Sequence, residues 1–177
     1  RLIICNVPHP QSYQDAFGWT QLKKSWYAFF FQLPWLPERG MSRDGAKAIA
    51  ELFRTRSSNP AQFPTEVREV YRRNAAQPGA LTAMVNYYRA LVRGKRKRPR
   101  VDPRTPIMVP TLMVWGEDDF ALDKSTTLTT GDYVREFTMR YLPGVSHWVP
   151  QEQPEAVNAM ISAFIRGEPV PEYQPEG

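Results

Sequence analysis

Residues Pro110-Thr-Leu-Met-Val-Trp-Gly-Glu-Asp-Asp-Phe-Ala-Leu122 form an apolar, β-prone run that stops at a glycine and passes into an acidic turn. A second run of this kind is followed by Gly144-Val-Ser-His-Trp-Val-Pro150. Near-continuous apolar runs are typical of parallel strands that are buried on both faces. The two turns carry Asp118, Asp119 and His147 at strand ends, which is where reactive groups collect in open α/β sheets.

These turns contain two of the three members of a hydrolytic triad. A carboxylate can orient an imidazole that acts as general base, and the acid precedes the histidine, as in the α/β-hydrolase fold. No Gly-x-Ser-x-Gly nucleophile segment occurs in the sequence. Ser146 is adjacent to His147 and cannot present its hydroxyl to that ring, and Cys5 is interpreted as a small buried apolar residue.

The composition is that of an ordinary globular protein. The 177 residues suffice for one domain with a core, and 42% are hydrophobic and 23% charged. No apolar run reaches the length of a membrane span. A single cysteine excludes an internal disulfide, so a reducing cytoplasm is the expected location. No cluster of residues has metal-ligand spacing and no glycine-rich phosphate loop occurs, so neither a metal nor a cofactor is expected.

The net charge of +5 comes largely from Arg93-Gly-Lys-Arg-Lys-Arg-Pro-Arg100, which holds six basic residues. One interpretation of such a run is a site for nucleic acid or another anionic partner. The other is a solvated loop between two structural units, which Gly94 and Pro99 favour. We prefer the loop, because no base-stacking aromatic residues are interleaved with the charges.

The order of predicted elements is a strand, a long helical excursion, and then an alternation of strands and helices. The first strand is expected at residues 2–6. The later elements are listed here in chain order: helices at 13–31, at 42–56 with Ser42 as the N-cap, at 64–76 and at 78–92; a strand at 111–115; a weak helix at 130–136; a strand at 137–142; and a helix at 154–166 closed by Gly167.

This pattern predicts an α/β fold with an inserted helical cap. The expected segments are a core strand and loop at 1–10, the helical cap at 11–93, a basic connecting loop at 94–105, the C-terminal part of the α/β core at 106–167 and a loose tail at 168–177. Three parallel strands are few for a sheet that needs neighbours and cover. We therefore interpret the chain as the C-terminal portion of a larger protein, in which residues 2–5 pair with a further parallel strand.

Two segments of the predicted cap complete a family resemblance. They are Tyr27-Ala-Phe-Phe-Phe-Gln-Leu-Pro34 and Asn86-Tyr-Tyr-Arg89. Together with the Asp-Phe-x-Leu and Gly-x-x-His-Trp turns, they make the chain resemble the epoxide hydrolases of the α/β-hydrolase superfamily, relatives of the haloalkane and fluoroacetate dehalogenases. The resemblance extends from Leu2 to about Arg166. It implies that Tyr27 and Tyr88 are the two cap tyrosines of that family, with Tyr87 as the alternative register.

The resemblance also implies a mechanism. Opening an epoxide leaves an alkoxide, and two phenols can bond the ring oxygen and supply a proton. A carboxylate nucleophile forms an ester with the substrate, and His147 then activates the water that hydrolyses it. Asp119 rather than Asp118 is expected to orient His147, because family members place the acid directly before Phe or a similar residue. The nucleophilic Asp is expected on an N-terminal core segment outside this chain, so the chain alone is expected to be inactive.

The remaining expectations concern the ligand and the rival functions. Trp26, Phe30 and Trp148 are expected to line the pocket for a small apolar epoxide, in a detoxifying enzyme for which a homodimer is one assembly to consider. Rival enzymes on the same scaffold are a haloalkane or fluoroacetate dehalogenase and an esterase-like hydrolase. Fluoroacetate dehalogenases have a similar segment but place His where Tyr27 stands. A rival of another class is a non-catalytic protein that binds an apolar ligand.

Overall fold

The computed structural model describes residues 1–93 and 105–175, which form two compact units. The first, called the core unit here, comprises Arg1–Lys24 and Val101–Gly177. The second, Ser25–Arg100, is called the helical unit. Most of the basic run predicted as a loop lies outside the described residues.

Three strands form the sheet of the core unit, in the order β1-β2-β3. They are β1 (Leu2–Cys5), β2 (Thr111–Gly116) and β3 (Phe137–Leu142). Both pairs are parallel, with Cys5 opposite Val114 and Gly116 opposite Leu142. Every residue of the central strand is buried. The parallel α/β sheet predicted from the sequence is confirmed, with strand bounds that differ by one residue at most.

Nine α-helices are present in the described residues. Their bounds are α1 (Pro10–Asp15), α2 (Trp19–Lys24), α3 (Trp26–Phe30), α4 (Leu36–Met41), α5 (Arg43–Arg56), α6 (Thr65–Ala75), α7 (Ala80–Arg93), α8 (Val149–Glu152) and α9 (Pro154–Arg166). Short 3-10 helices occur at Pro60–Gln62, Lys124–Thr127 and Thr130–Tyr133.

The core of the first unit lies between the sheet and its C-terminal helices. Its buried members share an apolar side chain and come from β2, β3, the loop after β3, α8 and α9: Leu112, Val114, Leu142, Val145, Val149, Val157, Met160 and Phe164. Each such side chain contributes about 1.5–3 kcal/mol on burial. Helix α9 was predicted with its exact bounds, and Gly167 ends it in a left-handed conformation with φ of 78°.

The single helix predicted for residues 13–31 is wrong. The segment forms three short helices, α1 to α3, which are separated by non-helical residues around Gly18 and Ser25. Residues 11–24 belong to the core unit, whereas the expected cap segment began at residue 11. Helices α1 and α2 contact the loops of the core: the Ser12 hydroxyl, for example, donates to the carbonyl of Thr126 at 2.6 Å.

Ser42 directly precedes α5, where the N-cap was predicted, but its side chain does not cap the helix. Ser42 makes no capping bond, and its hydroxyl donates to the Arg39 carbonyl at 3.2 Å. Asp44, Gly45 and Ala46 all have left-handed backbones with φ between 51° and 64°. Regular α-helical geometry in α5 therefore begins only after this turn. A run of three left-handed residues has no sequence signal beyond its one glycine.

Helices α5, α6 and α7 form the larger part of the helical unit, after α3 and α4, and lie close to where they were predicted. Phe53 of α5 stacks on Phe63 and Tyr71, with ring centroids 5.2 and 4.3 Å apart. A small cluster of Ala46, Ala75 and Leu81 packs where α5, α6 and α7 approach. These contacts give the unit a core of its own.

The C-terminal residues are better anchored than the loose tail expected at 168–177. The Arg140 guanidinium donates to the carbonyls of Val170 at 2.6 Å and Pro171 at 2.9 Å. The side chains of Val170 and Tyr173 pack against the apolar core. The sequence suggested a loose tail because of its three prolines, but irregular backbone can still be fixed by hydrogen bonds from a partly buried arginine.

Candidate active site

The acid turn follows β2 and carries a buried carboxylate. Asp119 is 1% exposed, and its Oδ1 accepts the backbone N–H groups of Ala121 at 2.7 Å and Leu122 at 2.9 Å. These bonds make an Asp-centred turn, which fixes one oxygen and leaves Oδ2 to point elsewhere. Asp118, the alternative acid, is exposed.

The histidine turn follows β3 and brings its imidazole to that second oxygen. His147 Nδ1 lies 2.7 Å from Oδ2 of Asp119, as predicted from the sequence, while about a third of the His147 side chain is exposed. An imidazole held by a carboxylate at Nδ1 has its other nitrogen, Nε2, available to take a proton. Such a contact would let Asp119 orient the ring and His147 act as a general base, and these two roles stay predictions.

The environment of Asp119 favours its ionised form. Burial is the largest influence and by itself raises the pKa of this carboxyl. The hydrogen bond and charge of His147, together with bonds from the Leu122 N–H and the Asn6 amide, outweigh burial and bring the pKa below its ordinary value. The acid is therefore ready to steady a positive imidazolium.

Asn6 is a member of this site that the sequence analysis missed. It is 1% exposed, and its Nδ2 donates to Oδ2 of Asp119 at 2.7 Å. A signal was available, because a short polar residue directly follows β1, and parallel strands end at the same edge of the sheet. It was overlooked because an Asn before Val7-Pro8 also fits an ordinary turn.

Gly116 allows the two turns to approach each other. A β-carbon at this position would lie 2.1 Å from the Ser146 carbonyl oxygen and 2.4 Å from that of Val145. The Asp118 N–H donates to the Val145 carbonyl at 3.0 Å, which joins the turns directly. The glycine that ends the apolar run of β2 is thus required by close packing of backbones.

Helix α2 holds the acid turn from the other side. Gln21 is 1% exposed, and its amide donates to the Ala121 carbonyl at 3.1 Å and accepts the Asp123 N–H at 2.8 Å. The Lys24 ammonium donates to the Asp119 carbonyl at 2.7 Å and lies 3.4 Å from the Asp123 carboxylate. These contacts restrain the backbone that carries the acid.

A buried glutamate holds the histidine turn. Glu152 of α8 is 1% exposed and accepts both the N–H of Ser146, at 2.8 Å, and its hydroxyl. Ser146 is therefore bonded away from His147, as its position next to the histidine required. Helix α8 was not predicted, because four residues beginning around a proline give no periodic pattern.

Aromatic rings surround the imidazole. Trp148, a predicted pocket residue, lies 6.1 Å from His147 between ring centroids, and Phe120 lies 5.7 Å from it. Phe120 and Trp148 also contact each other at 5.2 Å. An apolar surface beside a base lowers the local dielectric, which strengthens the electrostatic interactions of the base.

The two predicted tyrosines meet within the helical unit. The rings of Tyr27 and Tyr88 pack edge to face, with centroids 5.6 Å apart and an interplanar angle of 87°. Tyr88 is half-buried, and burial, aided by the neighbouring Tyr87, raises the pKa of its phenol. Tyr87 is 75% exposed. The geometry favours Tyr88 over Tyr87 as the partner of Tyr27.

An arginine braces the helices that carry these tyrosines. The Arg89 guanidinium makes two bonds to Glu38, at 2.5 and 3.1 Å, and donates to the carbonyls of Phe31 at 2.9 Å and Leu33 at 2.6 Å. The bond from Arg89 brings the pKa of Glu38 below its ordinary value. The neighbour of Tyr88 in sequence thereby ties α7 to the end of α3.

The other predicted residues are less defined. Trp26 is 61% exposed, and its ring lies 6.2 Å from that of Phe30 in the helical unit, so a pocket role for this pair stays a prediction.

His9 caps α1 by accepting the Gln11 N–H at 3.2 Å, and its ring stacks on that of Tyr133 with centroids 4.7 Å apart. Burial raises the pKa of the Cys5 thiol, which disfavours a nucleophilic thiolate.

Two wider features bear on the chemistry. No three His, Cys, Asp or Glu side chains in the described parts of the chain are arranged to hold a metal ion. Of the helices at 1–93 and 105–175, none has the length and apolar character needed to cross a membrane.

The sequence is similar to curated epoxide hydrolases. It is 32% identical to epoxide hydrolase 2 of Caenorhabditis elegans over 183 aligned positions, which cover all of this chain and 50% of that protein. It is 34% identical to human epoxide hydrolase 4, covering 95% of this chain and 47% of that protein. The chain thus spans about half the length of these relatives. No family model matches it.

The solved structures it matches share its fold. The epoxide hydrolase of Bacillus megaterium in complex with an inhibitor superposes with a TM-score of 0.77 at 21% identity, covering 93% of this chain and 60% of that one. Another match, a putative α/β hydrolase from Nostoc sp. PCC 7120, superposes with a TM-score of 0.78 at 21% identity, covering 93% of this chain and 57% of that one. The parallel sheet and its flanking helices define the class: the chain has part of an α/β-hydrolase fold. Within that class, its sequence resembles the epoxide hydrolases, as the motifs predicted.

Proposed function

We propose that this chain supplies the acid, the base and the two phenols of an enzyme that hydrolyses epoxides to vicinal diols. The observation that carries the proposal is the packed pair of Tyr27 and Tyr88, in a chain whose curated relatives are epoxide hydrolases. The nucleophile is an Asp on a segment outside these 177 residues. This is supported by the lack of a nucleophile motif here and by the half of each relative that the chain does not cover.

In the first half-reaction, the external Asp attacks an epoxide carbon and the C–O bond of the ring breaks. The electron pair goes to the ring oxygen, which would become an alkoxide. Phenols of Tyr27 and Tyr88 bond this oxygen, and one transfers its proton as charge develops. Burial supports this role for Tyr88, because the raised pKa of its phenol keeps it protonated until the alkoxide forms.

In the second half-reaction, His147 takes a proton from water, and the hydroxide adds to the ester carbonyl. Asp119 stabilises the imidazolium through the 2.7 Å contact with Nδ1. The ester C–O bond on the acyl side then breaks, and the imidazolium gives its proton to the departing alkoxide, which leaves as the diol. The proton left on the carboxyl of the nucleophile returns to the tyrosinate formed in the first step, which restores the ionised Asp, the neutral His147 and both phenols. Trp26, Phe30 and Trp148 are assigned to the apolar pocket of this enzyme, and a cytoplasmic location is part of the same proposal.

The test replaces each phenol in the full-length protein. Tyr27→Phe and Tyr88→Phe should each slow styrene oxide opening about 10²–10³-fold, because each removes one donor from the developing alkoxide. The double variant should lose nearly all ring opening, while hydrolysis of preformed ester stays at the parent rate. Stopped-flow measurement of the two steps separates them.

Tyr87→Phe is the matched control, since this exposed neighbour loses the same hydroxyl but should keep the parent rate. Opening of styrene oxide at the parent rate by the double variant would contradict the epoxide hydrolase proposal. Release of halide from haloalkanes by that variant would then favour the dehalogenase hypothesis, because a halide leaves without a proton.

A further inference from the structure

Asn6 lies where the ends of all three strands come together. Its backbone N–H donates to the Val114 carbonyl at 3.1 Å, so it extends the β1 ladder by one residue. Its φ is 46°, in the left-handed region that Asn adopts more readily than most residues. This backbone geometry turns a fully buried amide away from the strand and toward the acid turn.

The amide has only one orientation that satisfies its neighbours. Its Oδ1 accepts the N–H of Gly116 at 2.9 Å, and a backbone N–H can only donate. Its Nδ2 donates to Oδ2 of Asp119 at 2.7 Å and to the Ser146 carbonyl at 3.3 Å, and these oxygens can only accept. The amide therefore cannot be flipped without losing every bond.

Asn6 and His147 share the same oxygen of the acid. Both contact Oδ2 of Asp119 at 2.7 Å, while Oδ1 is occupied by backbone N–H groups. A second donor on Oδ2 fixes the direction from which this oxygen meets the imidazole. It also draws negative charge from the oxygen, which limits how strongly the carboxylate attracts a proton to His147.

We propose that Asn6 is a positioning residue of the site, whose Nδ2–H group holds Oδ2 of Asp119 toward His147 and sets the proton affinity of that imidazole. The catalytic part of this inference rests on the function proposed above. The structural part, a coupling between Asn6 and His147 through one oxygen, stands on the contacts alone.

Other charged groups near Asp119 and His147 already have hydrogen-bond or ion-pair partners. Lys24 of α2 bonds the Asp119 carbonyl and pairs with Asp123, and Glu152 of α8 bonds Ser146. Glu117 of the acid turn pairs with Lys124. Substitutions at Asn6 leave all of these groups in place, so a change in the titration of His147 would report on the amide itself.

The test is Asn6→Gly in the full-length protein. Glycine adopts the left-handed backbone of this position without strain and removes the amide donor from Oδ2 of Asp119. With one donor fewer on Oδ2, the carboxylate should hold a proton on His147 more strongly, so the titration of the ring nitrogens, followed by NMR, should move to higher pH. Ester hydrolysis should slow about 10-fold near neutral pH and recover at higher pH, while ring opening keeps its parent rate.

Asn158→Gly is the matched control, because it removes the same side chain on the exposed face of α9, and His147 should titrate in it as in the parent. If Asn6→Gly fails to fold, Asn6→Leu, which has a similar side-chain volume but no donor, decides by the same titration. A parent-like titration of His147 and a parent-like pH profile would overturn the proposal, even if the variant melts at a lower temperature. A full-length parent without epoxide activity would refute the proposed function, while the titration would still decide the role of Asn6.

Discussion

At the scale of single residues, the two oxygens of Asp119 have separate partners. Oδ1 bonds the backbone of its own turn, and Oδ2 meets side chains from two other strand ends. Because these backbone bonds fix the orientation of the carboxylate, the contact with His147 depends on where the histidine turn lies. That turn is held beside the acid turn by the bond from the Asp118 N–H to the Val145 carbonyl.

His147→Gln tests the role of the imidazole. Glutamine can still bond Asp119 but cannot take a proton from water, so diol formation should fall about 10²–10⁴-fold while the first step continues. Mass spectrometry of the intact full-length protein should show an adduct of one epoxide. His9→Gln is the control, because it removes the other histidine, a cap of α1, and should turn over without an adduct. Steady turnover by His147→Gln would remove this residue from the mechanism.

The contact between Asp119 and His147 could be predicted from the sequence, but the residues that hold the two turns could not. Asp119 and His147 could be predicted because apolar strands, glycine stops and polar turns are local patterns. Gln21 and Glu152 could not be predicted, because their roles depend on contacts with residues far along the chain or within an irregular turn. The position of Asn6 at the end of β1 was a signal, but no local pattern shows that its amide is buried and bonds a distant carboxylate.

At the scale of elements, the dependence on distant contacts also explains which helices were predicted correctly. Those with long apolar stripes, α6, α7 and α9, were predicted to within two residues at each end. The segment at 13–31 was not, since its aromatic residues suggested one continuous face where the chain makes three short helices. Short helices depend on tertiary contacts more than on propensity, and α1 and α2 are held by bonds to core loops.

Arg89→Met tests the brace between α7 and the end of α3. Methionine preserves much of the side-chain length but leaves Glu38 and two backbone carbonyls without their donor. We expect the free energy of unfolding to fall by about 1–3 kcal/mol, measured by urea titration of the full-length protein. Arg73→Met, at an exposed position with one weak bond at 3.4 Å, should change it by less than about 0.5 kcal/mol. Equal losses from both variants would show that the Arg89 contacts contribute little.

At the scale of the whole molecule, β1 has one partner strand among the described residues. The N–H groups of Leu2 and Asn6 donate toward β2. Because N–H groups alternate sides along a strand, those of Ile3 and Cys5 point to the opposite edge. This edge is where the proposed further strand would pair.

Hydrogen exchange measures whether that pairing exists. In the full-length protein, the amides of Ile3 and Cys5 should exchange as slowly as those of the buried β2, because a parallel partner would accept from them. In the 177-residue chain alone they should exchange far faster, while the amide of Asn6, bonded to Val114, serves as the internal reference. Fast exchange of Ile3 and Cys5 in the full-length protein would contradict the expected partner strand.

The position of Asn6 also has a consequence for how the molecule folds. Its bonds to Asp119 and Ser146 span 113 and 140 positions of the chain, with the whole helical unit between. Closing a loop of that length costs conformational entropy before any contact compensates for it, so such pairings form slowly. The helical unit, with its local contacts, can reach its native form early. We expect Asn6 to reach Asp119 and His147 only when the two ends of the core unit meet, which would make the completion of this candidate site a late event in folding.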